Sequence, residues 1–173
     1  MSDGPVLAGY PGDIEVLEYL SGKKTVPAAL PVRLSLQGSG GGSYPDLLTY
    51  LLPIFSGNVK EILEKHGADN IDYFPVEFCE TETLNNRYWL ANIIGLLDCL
   101  NEEKSDVKIH RASNRLVINS FFDLDEDKTD RKKIFRIKAR QRLIIVSEEL
   151  KNALETANLY GITITNAKNF EGF

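Results

Sequence analysis

Apolar and polar positions alternate along parts of this chain with the period of a half-buried strand. Val32, Leu34 and Leu36 interleave with Arg33 and Ser35, and Phe135, Ile137 and Ala139 interleave with Arg136, Lys138 and Arg140. The second of these strands is expected to carry a cationic face made of Arg136, Lys138, Arg140 and Arg142. Residues 87–97 follow another pattern, apolar almost throughout and rich in β-branched and aromatic side chains, among them Tyr88, Trp89, Leu90, Ile93 and Ile94. Such a run predicts a central strand buried on both faces, with a buried helix as the other solution. Residues 71–79 read as a strand in which Pro75 implies an edge or a bulge. Residues 116–118 with Phe121 and Phe122 give a further short strand, and residues 14–20 suit either strand or helix.

Helical spacing appears twice. Val59, Ile62 and Leu63 form one apolar stripe, and Leu150, Ala153, Leu154 and Ala157 form another. Each stripe follows a serine, Ser56 or Ser147, whose hydroxyl can accept from the free amides of a first helical turn. The two segments are degenerate copies at a constant offset: Ile54/Ile145, Ser56/Ser147, Lys60/Lys151, Leu63/Leu154 and Glu64/Glu155 are identical, and the match resumes at Ile71/Ile162. Each copy reads as apolar lead-in, capping serine, short helix, turn and extended segment, with exits expected at His66-Gly67 and Tyr160-Gly161. Duplication and convergence on a good capped helix explain the echo about equally well. Neither copy carries a nucleophile, a metal-ligand set or a phosphate loop, which favours a scaffold and hence a binding protein. A third helix is expected where Ser43-Tyr44-Pro45-Asp46 has capping-box spacing, with Leu47, Leu48, Leu51 and Leu52 behind it and Pro53 as a stop.

These elements predict an α+β fold, a mostly antiparallel sheet with two or three short helices packed against it. The 173 residues suit one domain over 1–173, interrupted by a Gly/Ser loop at residues 38–43, natural or engineered, and preceded by a less defined segment, residues 1–37. No apolar run approaches the roughly 18 residues that span a bilayer, and the start of the chain lacks a signal-peptide pattern. Cytoplasmic residence without a membrane partner is the expectation. Cys79 and Cys99 are expected to be reduced and buried.

The formal net charge of −5 is unevenly spread. Arg131, Lys132, Lys133, Arg136, Lys138, Arg140 and Arg142 fall together without an acid, directly after the acidic stretch Asp123, Asp125, Glu126, Asp127 and Asp130. An acidic remainder argues against general nucleic-acid binding, which depends on clustered cations. Asp123 and Asp125 form a D-x-D after an apolar residue, the pattern of metal-dependent phosphoesterases of the haloacid dehalogenase type. Glu126 and Asp127 then add like charge where that chemistry wants a small turn. Asp123, Asp125 and Asp127 also mimic a calcium loop, but Lys128 replaces its glycine and Ile134 its closing glutamate. A solvated acidic loop is the better reading, with the phosphoesterase as the alternative function. His66 and His110 lie far apart, without cysteines or paired carboxylates at ligand spacing, so no metal or other cofactor is expected.

Three blocks in order carry a family resemblance: residues 53–56 through the helix to 69–76, residues 88–101 followed by Ser105, and residues 134–137 with 144–151 ending near 160–162. They resemble the bacterial immunity protein 11 family of polymorphic toxin systems over about residues 45–165, with Asn101 where an acidic residue is expected. The resemblance implies a non-enzymatic protein that binds a cognate toxin and protects the producing cell. It brings no catalytic residue. Toxins that act on nucleic acids or nucleotides tend to have basic clefts, so Asp123, Asp125, Glu126, Asp127 and Asp130 are the first candidates for the interface. Arg136, Lys138, Arg140 and Arg142 are the second, suited to an acidic toxin.

Overall fold

The computed structural model describes residues 5–38, 43–49, 51–84, 87–111 and 115–171. The chain opens with β1 (Val6–Leu7), α1 (Val16–Leu20), β2 (Val32–Leu34) and β3 (Leu36–Gln37). Its middle comprises β4 (Leu47–Thr49), β5 (Pro53–Ser56), α2 (Gly57–Lys65), β6 (Ile71–Phe78) and β7 (Tyr88–Ile93). Shorter strands follow: β8 (Leu96–Leu97), β9 (Leu100–Asn101), β10 (Val107–His110), β11 (Arg115–Ile118) and β12 (Asp123–Leu124). The last elements are β13 (Ile134–Ile137), β14 (Arg140–Val146) and α3 (Glu148–Thr156). They pair into a five-stranded sheet, order β2-β6-β7-β5-β4, and a three-stranded sheet, order β14-β13-β8, with two-stranded pairs elsewhere. Among the described residues only β2 with β6 and β8 with β13 run parallel, so the fold is α+β with mostly antiparallel pairing, as expected.

The apolar run at residues 87–97 becomes β7, the centre of the larger sheet. Tyr88 and Leu90 enter one core with Ile54, Phe74 and Val76 and with Val32 and Leu34 of β2, and Tyr19 and Leu20 of α1 pack into the same core. Ala91 and Ile93 enter a second core with Phe55, Val59, Leu63, Leu150 and Leu154. Asn92 lies on the first face, fully buried, and its Nδ2 donates to the Lys23 carbonyl at 2.9 Å. In β6, residues 71–75 pair with β7 while residues 76–78 pair with β2. Each part of β6 thus pairs on one side, and Pro75 stands where the partner changes, on a strand that keeps an open edge.

Both capped helices form. Ser56 Oγ accepts from the Val59 amide at 3.4 Å, and Ser147 Oγ from the Leu150 amide at 3.3 Å. The buried residues of α2 (Val59, Leu63) and of α3 (Leu150, Leu154) meet in one core. Lys133 ties the helices end to end: its Nζ donates to the His66 carbonyl at 2.7 Å and pairs with Glu149 at 3.0 Å. After α2, Gly67 takes φ 73° as expected. After α3 the first left-handed residue is Asn158, φ 50°, ahead of Gly161, φ 77°, so the helix exit precedes the expected Tyr160-Gly161.

The expected third helix is absent. Leu47–Thr49 pair instead with β5, Leu48 opposite Ile54. As a strand, β4 sends Leu48 to the first core and Leu47 against the second, a division that a helix with one apolar face could not make. The Asp46 carboxylate, which a capping box would direct to its own helix, accepts from Ser56 Oγ and from the Tyr160 amide. Residues 39–42 of the Gly/Ser loop lie outside the described residues. Cys99 is buried, and burial pushes its thiol pKa up. Cys79 is exposed, contrary to expectation, because it falls just past the end of β6. No described helix is long and apolar enough to cross a membrane.

Candidate functional site

The smaller sheet leaves one side open. β14 is its outer strand, paired only with β13 among the described residues. Its side chains alternate between two cores: Ile144 and Val146 pack with α2 and α3, while Leu143 and Ile145 pack with Cys99, Phe122, Phe135 and Ile137. Beyond α3 the chain returns as an extended strap. Ile162 and Ile164 are half-buried against the helical core, and Thr163 and Thr165 between them are exposed. The strap is pinned at both ends. Asp46 N donates to the Tyr160 carbonyl at 2.7 Å, and Phe122 N donates to the Ala167 carbonyl at 3.0 Å. Phe170 then stands edge-on to Phe122, with the Arg140 guanidinium 5.5 Å from its ring centre. Between β14 and the strap lies a groove of about 740 Å³.

The acidic turn forms part of the wall of this groove. Asp123 lies in β12, opposite Asn101 of β9, and its amide donates to Ser105 Oγ at 2.9 Å. The Asp125 amide donates to the buried Cys99 carbonyl at 2.8 Å, and a 3₁₀ turn at Glu126–Lys128 follows. The turn is thus fastened through backbone amides rather than through its carboxylates. Asp125 pairs with Lys128 at 3.0 Å and Asp130 with Lys132 at 3.5 Å. Asp123 and Glu126 line the groove and have no ion-pair partner among the described residues. Asp127 is exposed beside them. Among the described residues no group of three or more His, Cys, Asp or Glu could hold a metal ion.

The expected cationic strand face does not exist as such. β13 is covered on both sides, and Arg136 is 1% exposed. Its Nη1 donates to the Gln141 carbonyl at 2.9 Å, its Nε finds no partner, and burial lowers its pKa to about 10. The alternation also breaks at residues 138–139, where the chain turns from β13 into β14 with a register shift. Lys138 is exposed and pairs with Asp98 at 3.1 Å, Arg140 stacks on Phe170, and Arg142 is exposed. None of the four lines the groove, whereas Arg131, Lys132, Lys151 and Lys168 do. A regular period of two implies an amphipathic strand, whereas the second covering layer comes from distant segments and leaves no local trace.

The structure therefore brings two of the five acidic candidates to an apolar cleft and disperses the basic ones. The extended segment expected from Ile162 is present as the strap, but its place on a groove was not legible; Ile162-Thr163-Ile164-Thr165 alternates, and Asn166 Oδ1 caps the following turn by accepting from the Lys168 amide at 2.9 Å. An apolar floor with carboxylates at its side suits recognition of another chain. The model of the Immunity protein family (Imm11) matches residues 22–169. No curated protein matches the chain.

Proposed function

The chain belongs to the Immunity protein family (Imm11), and from that premise we propose that it binds and neutralises a cognate bacterial toxin in the cytoplasm of the producing cell, without catalysis. The family match carries this reading. The groove supports it through its apolar surface and its charges of both signs: Asp123 and Glu126, free of internal ion pairs among the described residues, share the lining with Arg131, Lys132, Lys151 and Lys168. Asp123, Asp125, Glu126, Asp127 and Asp130 are the proposed contact residues for a basic toxin surface. Such charges act mainly by steering encounter, and salt screens them beyond about 8 Å at physiological ionic strength. Nothing in the geometry favours the phosphoesterase reading over this one: Asp125 is engaged by Lys128 at 3.0 Å.

Co-expression with the toxin encoded by the neighbouring gene tests the proposal. Cells carrying both should survive, and cells that die as fast with this protein as without it would refute neutralisation. With purified partners, replacing the five acids by Asn or Gln should slow association at low salt, with the difference shrinking as salt rises. Unchanged association at low salt would remove the acidic turn from the interface.

A further inference from the structure

We propose, building on the immunity reading, that β14 is the docking edge for the toxin: an extended toxin segment adds to it as a further antiparallel or parallel strand inside the groove. The backbone determines which groups are offered. Arg136 N donates to the Gly95 carbonyl at 3.0 Å, and Asn70 Nδ2 donates to the Ile134 carbonyl at 2.8 Å, so the even-numbered residues of β13 direct their backbone groups away from β14. Phe135 consequently exchanges its bonds with its register partner Ile145. Ile144 and Val146 must turn N–H and C=O outward into the groove. No backbone hydrogen bond reaches them from residues 162–166, which pass on the far side of the space.

Edge strands are normally protected from pairing by charge, proline or a covering element. Residues 143–146, Leu-Ile-Ile-Val, carry neither charge nor proline, and the strap leaves about 740 Å³ between itself and them. That space is in the range of a binding cleft, and strand addition supplies affinity through main-chain bonds while pockets read alternate side chains. The occupant that fits is an extended segment alternating apolar and polar residues, as the strap itself does, with a Lys or Arg reaching Asp123 and Glu126 and a carboxylate reaching Arg131 and Lys168, four groove residues without an ion-pair partner among the described residues. The outward amides of Ile144 and Val146 are the positions through which β14 recognises it.

Hydrogen exchange on the wild-type protein, free and bound to the toxin encoded by the neighbouring gene, tests this directly. The amides of Ile144 and Val146 should exchange fast in the free protein and become protected at least tenfold in the complex, while Ile145 is slow in both. Ile144→Pro, which removes an outward amide, should lower toxin affinity at least tenfold with the fold retained by circular dichroism; Ile145→Pro, which removes an inward one, should damage the fold. A stable complex in which Ile144 and Val146 exchange as in the free protein would overturn strand addition and leave the immunity reading standing. Absence of any complex would overturn both. Protection of these amides in the free protein that grows with its concentration would assign the edge to a second copy of the chain and likewise overturn the proposal.

Discussion

The two repeat units begin alike and end differently. β5–α2 and β14–α3 each start with an apolar strand, pass through a capping serine, and bury two residues of a nine-residue helix in a common core. β5 lies between β7 and β4, and α2 leads into the eight-residue β6, which pairs on both sides. β14 has one neighbour, and α3 leads into a strap with no strand pairing among the described residues. Similar local sequence has yielded a closed unit and an open one. What differs is the supply of partners from the rest of the chain: β7, β4 and β2 pair with the first unit, whereas among the described residues β13 alone pairs with the second. An unsatisfied unit beside an apolar groove is where a binding protein has surface to offer.

Substitutions in the shared core should test whether the helices are equivalent as scaffold. Leu63→Ala in α2 and Leu150→Ala in α3 remove side chains that are 1% and 0% exposed. Each should cost about 2–5 kcal/mol in urea unfolding. A large loss in one and a trivial loss in the other would show that only one helix supports the core.

The glycines after the helices should part the units. Gly67 and Gly161 take φ 73° and 77°. A Cβ at Gly67 meets only Lys133 Nζ at 3.8 Å, whereas one at Gly161 would collide with Pro45. Gly67→Ala should therefore destabilise by about 1–2 kcal/mol, the cost of a left-handed alanine. Gly161→Ala should cost more, because it also pries the strap from its anchor at Asp46. Equal melting temperatures for the two variants would contradict that anchoring.

The caps are expected to differ more modestly. Ser56→Ala and Ser147→Ala should each cost about 0.5–2 kcal/mol. Ser56 belongs at the upper end, since its hydroxyl also donates to Asp46 and it is buried. A costlier Ser147→Ala would reverse the ranking of closed and open units.

The smallest effect concerns pH. Lys133, and then His66, hold the Glu149 carboxyl below its ordinary value of 4.5. A depressed carboxylate contributes stability that is present above about pH 4.5 and is lost as pH falls through the folded-state value. Glu149 is fully exposed, so only a slight change of melting temperature is expected. Glu149→Gln should flatten the acid limb of the melting profile, and an unchanged limb would show that the tie between α2 and α3 contributes nothing there.

Features written into neighbouring residues were legible in the sequence. The serine caps, the buried run that became β7, and Pro75 at a point where β6 has an edge all follow from short-range pattern. Features decided by distant partners were not. Asp46 looked like the end of a capping box, yet it serves Ser56 and Tyr160. Arg136 suits a solvent-facing position by its local pattern, yet it lies buried in the central strand of the smaller sheet, between β8 and β14. Of the candidate site, the acidic turn could be named from its residues, but the groove beside it could not, because its walls come from β12, β14, α3 and the strap.

Lysine labelling of the protein alone and in complex with the toxin reports most directly which unit meets the partner. Lys132, Lys151 and Lys168 line the groove, whereas Lys24 and Lys65 are exposed and do not line it. Docking at the open unit requires the three groove lysines to lose reactivity in the complex while Lys24 and Lys65 react as before. Shielding of Lys24 and Lys65, with Lys132, Lys151 and Lys168 unchanged, would contradict it.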